Sequence, residues 1–335
     1  MKLATSYFGC RIPRHVKQDM DTLRQLGFDR VIHTFPENDL FYYADTMKEI
    51  ISISHDAGLE VQIDPWGVAG IFGGEAFSRW IIEEPDLVQR GGSGRPLGGA
   101  CLNHPRLTEL MSDWIKAAAA TGADWVFWDE PHWSPGGSPR NPDNEICTCE
   151  YCTRLSGSGE ITESFRADSM LNFLNELINM AASCQLKSSV CVLPRGTMKQ
   201  PPLAWPTIAS LPGVLEFGTD PYWHAFNIQG KDQRDNFIDD NATAALSASR
   251  TANAQTQLWI QAFSVRENQA SDLCEGIARI CSHQPDTLAI WGFEACAHMS
   301  ALACDQPLEL WRDIISTIKT TPPGSGKPPD QEICS

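Results

Sequence analysis

Gly122-Ala123-Asp124-Trp125-Val126-Phe127-Trp128-Asp129-Glu130-Pro131 packs a helix stop, a short turn, a strand and a polar strand end into one stretch. Glycine at the stop adopts the left-handed conformation that closes helices. The β-branched and aromatic run after it reads as a strand. The same order recurs at Gly27-Phe28-Asp29 and Gly58-Leu59-Glu60. Working outward, strands are predicted at 3–8, 30–34, 60–64, 125–129, 189–193, 214–218, 258–262 and 288–293, with amphipathic helices between them at 16–26, 44–57, 105–120, 164–182, 272–282 and 308–319. Eight strands alternating with helices predict an α/β fold, a single (β/α)8 TIM barrel over residues 1–319. An open doubly wound sheet is the alternative, but no Gly-x-Gly-x-x-Gly follows the first strand. The stretch 320–335, with Pro322-Pro323-Gly324-Ser325-Gly326, reads as a flexible C-terminal tail.

Composition narrows the partners. The chain has 335 residues, and 42 Asp+Glu against 26 Lys+Arg give a formal net charge of −16. A field of that sign repels nucleic acid and anionic membrane surfaces. No apolar run reaches the ~18 residues of a membrane span, and Met1-Lys2-Leu3-Ala4-Thr5-Ser6-Tyr7 is too polar for a signal peptide. A cytoplasmic, reducing location is the expectation, in which the 12 cysteines are free thiols or metal ligands. Oligomeric state is not set by any of these features.

Two loops point to one end of the barrel. Residues 65–101, after the third strand, are long and glycine-rich, with Gly70, Gly73, Gly74, Gly91, Gly92, Gly94, Gly98 and Gly99, and no regular element is read there. Residues 132–163, after the fourth, are also long and carry three cysteines. In barrels the βα loops build the active face.

The strand ends that would meet these loops are polar. They carry Glu37 and Asp39 (second), Asp64-Pro65-Trp66 (third), Asp129-Glu130-Pro131-His132 (fourth), Arg195 (fifth), Asp220-Pro221-Tyr222-Trp223-His224 (sixth), Gln261 (seventh), and Trp291 with Glu294 (eighth). Carboxylates at five of eight ends, interleaved with indoles, exceed what stability asks for, because unpaired buried charge is costly. Rings beside carboxylates suit a carbohydrate, whose C–H faces stack while its hydroxyls hydrogen-bond. Glycoside hydrolysis needs two carboxyl groups flanking the bond. Asp129, Glu130 and Asp220 are the catalytic candidates. Adjacent strand residues face opposite ways, so one of Asp129 and Glu130 is expected to act unless the strand end kinks at Pro131. Glu37, Asp64, Trp66, His132, Arg195, Tyr222, Trp223, Gln261, Trp291 and Glu294 are the substrate-binding candidates. Plain structural readings stand beside these: Asp129 as an N-cap or ion-pair partner, Asp64 and Asp220 as turn initiators, Glu37 as a solvated loop residue. Arg195 reads equally as a counter-charge, His132 and His224 as structural hydrogen-bonders, and mid-strand Trp125 and Trp259 as core.

Cys147-Thr148-Cys149-Glu150-Tyr151-Cys152 is the most compact motif. Three thiolates at this spacing can surround one tetrahedral ion, with Cys101 as the fourth ligand and His132 as a second candidate. Four protein ligands would make a structural Zn²⁺, with no metal needed for catalysis. The bland alternative is three reduced thiols in a loop.

Trp128-Asp129-Glu130-Pro131 resembles the Asn-Glu-Pro at the end of strand four in clan-A retaining glycoside hydrolases, where the Glu is the acid/base. Cys101, Glu130 and Cys147/Cys149/Cys152 together are similar to the zinc site of certain microbial β-galactosidases of that clan. The resemblance covers residues 100–155. It departs in two places: Asp129 replaces the family's Asn, and 258–263 offers only Gln261 where the family has its nucleophilic Glu. A fourth- and sixth-strand pair is instead similar to the α-galactosidase clan, whose other motifs are absent. The expectation is a glycosidase pairing Glu130 or Asp129 with Asp220 as acid and nucleophile/base. Two rivals stay open: a divalent-metal sugar isomerase or epimerase using Glu130, Asp220, His224 and Glu294, and a non-catalytic saccharide-binding barrel.

Overall fold

A computed structural model describes residues 1–136, 138, 141–157, 159–197 and 203–321. Its eight parallel strands are β1 (Lys2–Tyr7), β2 (Arg30–Thr34), β3 (Glu60–Asp64), β4 (Trp125–Asp129), β5 (Lys187–Val192), β6 (Val214–Thr219), β7 (Gln255–Gln261) and β8 (Thr287–Trp291). They close in sequence order, with β8 pairing back onto β1. This is the (β/α)8 barrel that the alternation predicts.

The six expected helices form, with ends shifted by up to three residues. Helix Lys231–Ala252 is an addition: its buried face is mostly Ala242, Ala245 and Ala248, with Arg234, Asn241 and Ser249, too weakly apolar to mark a stripe. The loop after β3 is not structureless. It holds a short helix, Trp80–Glu83, and a hairpin, Val88–Arg90 with Pro96–Ala100, turned by Gly91-Gly92-Ser93-Gly94. Strands that short carry no readable alternation. Of the expected tail, Thr320 ends helix Pro307–Thr320, while residues 322–335, Cys334 included, lie outside the described residues.

Alternate residues of each strand point into the lumen and form layers. The lowest layer is ionic. Arg30 of β2 reaches Glu216 of β6 at 2.8 and 3.0 Å, a contact between non-adjacent strands that must cross the lumen. Glu216 also accepts from Gln62 (3.2 Å), Ser189 (2.9 Å) and Thr287 (2.8 Å), and Arg30 donates to Glu60 at 2.8 Å. Both members of the central pair are fully buried. This layer explains why β5 and β7 begin earlier than their apolar runs suggest: Ser188, Ser189, Thr256 and Gln257 are polar residues on buried strand. Above it lies an apolar waist of Ala4, Ile32, Phe127, Trp259 and Ala289. The top layer opens onto the long loops.

Candidate active site

Three strand ends, those of β3, β4 and β6, bring Asp64, Asp129 and Asp220 to the top of the lumen. Glu130 joins them because it leaves the strand in the left-handed region, with φ +40°. Extended backbone would have sent its side chain away from that of Asp129; the turned backbone returns it, and both carboxyls line one cavity. The kink anticipated at Pro131 thus falls one residue earlier.

The cavity measures about 160 Å³, close to the roughly 150 Å³ that accommodates a six-membered ring. Its acids are Glu75, Asp129, Glu130 and Asp220, and its rings are Tyr222, Phe226, Trp259, Phe263 and Trp291. Trp259, read as core, is buried and also lines the cavity. Trp291 packs 5.8 Å from it and stacks on Phe8 at 5.3 Å, which in turn stacks on Trp66 at 5.5 Å. The wall is therefore a continuous aromatic row with little freedom to move.

Burial and mutual repulsion hold Asp64, Asp129, Asp220 and Glu75 away from ionisation. The Asp64 carboxyl is raised well above its usual range by burial and by Glu130 and Glu75 beside it. Asp129 is raised by burial, then by Asp64, Glu130 and Glu75. Asp220 is raised by burial and by the Glu130 carboxyl beside it. Burial also raises Glu75.

Glycine brings the β3 loop onto this cluster. The Gly73 N–H donates to the Asp129 carbonyl at 2.9 Å, and a Cβ on Gly73 would lie 2.5 Å from an Asp129 carboxyl oxygen and 2.9 Å from one of Glu130. At Gly74, φ is +101° and a Cβ would fall inside the Trp66 indole, 1.6 Å from its nearest atom. Glu75 follows directly and enters the cavity. Sequence reasoning missed Glu75; the Gly73-Gly74 pair before it was the available signal, since paired glycines on the active face mark a close backbone approach.

The remaining candidates divide. Asp64 is wholly buried beneath the cluster, and neither of its carboxyl oxygens has a hydrogen-bond partner in the protein. Glu37 is engaged by the β3 loop, accepting from Ala69 N (2.8 Å), Ser78 Oγ (2.7 Å) and Trp80 N (2.7 Å). The Gln261 amide is held by backbone, Ala225 N at 3.1 Å and Phe263 O at 2.9 Å. Trp223 is buried and donates to Asp272 at 2.9 Å, and His132 Nδ1 donates to the Glu130 carbonyl at 2.6 Å. Arg195 is exposed, stacked 4.4 Å over Trp205. His224 lies 3.3 Å from Asp272. Tyr222 and Trp291 line the small cavity, while Trp66 and Glu294 line a larger one of about 920 Å³. Glu75 borders both.

The buried acids make a pH-dependent stability test. Asp64 is raised in the folded state above its ordinary 3.8. Folded protein therefore holds a proton that unfolded chain releases, and stability falls as pH rises from about 4 through the raised value. Asp64→Asn removes that loss. Urea midpoints should place the variant above wild type at pH 8, with the gap shrinking towards pH 4. A gap independent of pH would show that proton uptake by Asp64 is not its source.

On the flank of the site, the thiols of Cys101, Cys147, Cys149 and Cys152 all lie within 4.8 Å of one another. Cys101 Sγ is 3.4 Å from Cys149 Sγ and 3.5 Å from Cys152 Sγ. Tetrahedral Zn–S bonds of about 2.3 Å put sulfurs roughly 3.8 Å apart, so the donor set fits one such ion. The cluster joins the hairpin end (Cys101) to the loop after β4 (Cys147, Cys149) and helix Glu150–Leu155 (Cys152). It is a cysteine cluster capable of holding a metal, and His132 is not part of it. Among the described residues no other group of three or more His, Cys, Asp or Glu side chains brings its ligand atoms together in this way. No helix of the described residues is long and apolar enough to cross a membrane.

No protein-family model matches the chain, and no curated protein is similar to it in sequence. Solved structures are similar in fold. The GH5_18 protein from Streptomyces cattleya in complex with GlcNAc superposes with a TM-score of 0.66 at 11% identity, covering 98% of this chain and 81% of that one. The catalytic domain of β-amylase from Paenibacillus polymyxa gives 0.64 at 9% identity, covering 96% and 99%. The endo-1,4-β-mannanase from Rhizomucor miehei gives 0.64 at 11%, covering 96% and 94%. Identities this low carry the barrel and no residue roles.

Proposed function

We propose that the chain is a glycoside hydrolase acting on a small saccharide or glycoside, with Glu130 and Asp220 as its catalytic pair. The observation that carries this is that both carboxyls line one ring-sized cavity walled by Trp259 and Trp291. That three similar folds belong to a GH5_18 protein, a β-amylase and a mannanase agrees with the substrate class. The reading takes the retaining course, in which one carboxyl attacks and the other serves first as acid and then as base. Burial favours the proton on Asp220, making it the general acid. Glu130 attacks the anomeric carbon as the Asp220 proton passes to the departing oxygen. Asp220, now ionised, takes a proton from the water that releases the sugar from Glu130. Protonated Asp129 donates a hydrogen bond to a sugar hydroxyl, Trp259 and Trp291 stack on the ring, and Tyr222 closes the side. Turnover of a panel of aryl glycosides tests the reading.

The metal-dependent isomerase has less support, because its four ligands are spread out: His224 is with Asp272, and Glu294 faces the larger cavity. A purely binding barrel would have no use for four carboxyls gathered in one ring-sized cavity.

The cysteine cluster, in the same reading, holds a structural Zn²⁺ that pins two loops of the active face and takes no part in the chemistry. Elemental analysis of the purified chain should give one zinc per molecule. Cys101→Ser should lose most of that zinc and unfold at a lower temperature. A metal content below about one-tenth, or full zinc in the variant, would rule the assignment out.

A further inference from the structure

We infer that the larger cavity receives the leaving-group portion of a neutral oligosaccharide, and that the enzyme removes one terminal sugar at a time. This rests on the hydrolase reading above and specifies its substrate. The two cavities, about 160 and 920 Å³, meet at Glu75. The small one contains the catalytic pair and has room for one ring; the large one holds several. A chain lying across both presents the bond next to its last unit to Glu130 and Asp220, and offers no bond further along.

The lining specifies the chemistry. Flat faces come from Trp66, Tyr43, Phe77 and Phe293, and hydrogen-bonding groups from Asn38, His15 and His298. Rings alternating with donors and acceptors are what a sugar chain requires. Charge excludes acidic sugars. Asp19, Asp39, Glu75 and Glu294 face the cavity against one arginine, Arg11. That arginine is already occupied: it pairs with Asp39 and donates to the Thr34 carbonyl at 2.7 Å. A uronate, sulfate or phosphate would find no lysine and no unpaired arginine among the lining residues. The rings also continue past the rim, where Tyr43 (42% exposed) is followed back along the chain by Tyr42 (66%) and Phe41 (62%). Aromatic surface of that kind on a cavity rim is a binding feature more than a stability feature.

The test compares p-nitrophenyl monoglycosides with gluco-, manno- and galacto-oligosaccharides of two to five units and with oligogalacturonates, using the full chain. Chromatography should show monosaccharide as the first product from the neutral series. The trimer should exceed the dimer in kcat/KM by about tenfold, the scale of one aromatic contact, and oligogalacturonates should not be cleaved. Tyr43→Ala and Phe77→Ala should each lower kcat/KM on the trimer several-fold. Mid-chain products, a trimer no better than the dimer, or unaffected variants would overturn this inference while aryl-glycoside turnover left the hydrolase reading in place. No turnover of any substrate would overturn both.

Discussion

Glu130→Gln is expected to remove turnover on every aryl glycoside the wild type cleaves, by about 10³-fold or more, while leaving the fold intact. Asp220→Asn is expected to behave differently. A general acid contributes 10²–10⁴-fold, and its contribution depends on how badly the leaving group needs a proton. Asp220→Asn should therefore lose activity on alkyl glycosides and nitrogen-free phenols but retain much of it on dinitrophenyl glycosides, whose phenolate departs unaided. Glu130→Gln gains nothing from the better leaving group, because it lacks the attacking oxygen. The contrast arises from the burial that places the pair's proton on Asp220. Reversed behaviour would exchange the two roles, and undiminished turnover in both variants would remove the pair from the mechanism.

The second large effect lies at the opposite end of the barrel. Glu216→Ala is expected to destabilise the protein by roughly 3–5 kcal/mol, the cost of breaking a buried ion pair from one side. Arg30 would lose a bidentate partner, and Gln62, Ser189 and Thr287 would each lose an acceptor. Substituting both members, Arg30→Met with Glu216→Leu, should recover much of the loss, because the remaining groups are no longer opposed to an unpaired charge. Urea midpoints measure both. A loss below about 1 kcal/mol for Glu216→Ala would mean that water or Glu60 alone satisfies Arg30.

The barrel was legible because its signal is repeated. Glycine stop, short turn and apolar strand recur often enough that β2, β3 and β4 fall on their predicted bounds. The ionic layer was not legible: Arg30 and Glu216 lie 186 residues apart in the chain, and only barrel closure makes them neighbours. At the site, strand-end position marked Asp129, Glu130 and Asp220, which the fold brings together. It also marked Glu37, Trp223 and Gln261, whose polar atoms the fold commits to loops and helices. One-dimensional position gives the end of a strand but not what the next loop needs from it. Glu75 illustrates the converse, a residue whose place depends on how a glycine-rich loop folds back over the mouth. Cys101 was found because the C-x-C-x-x-C spacing leaves one tetrahedral corner open.

The apolar waist has a consequence for how this protein can change. Asp64 and Glu60 are the ends of one five-residue strand, about 13 Å apart at 3.3 Å per residue. That is beyond the distance at which substitutions without a shared partner interact. The five aliphatic and aromatic side chains between the two polar layers keep the lower ion network and the upper acids from sharing a partner. Specificity can drift at the mouth without loosening the foundation. A lineage carrying this barrel is free to change the residues at its mouth and keep the same ionic layer beneath them.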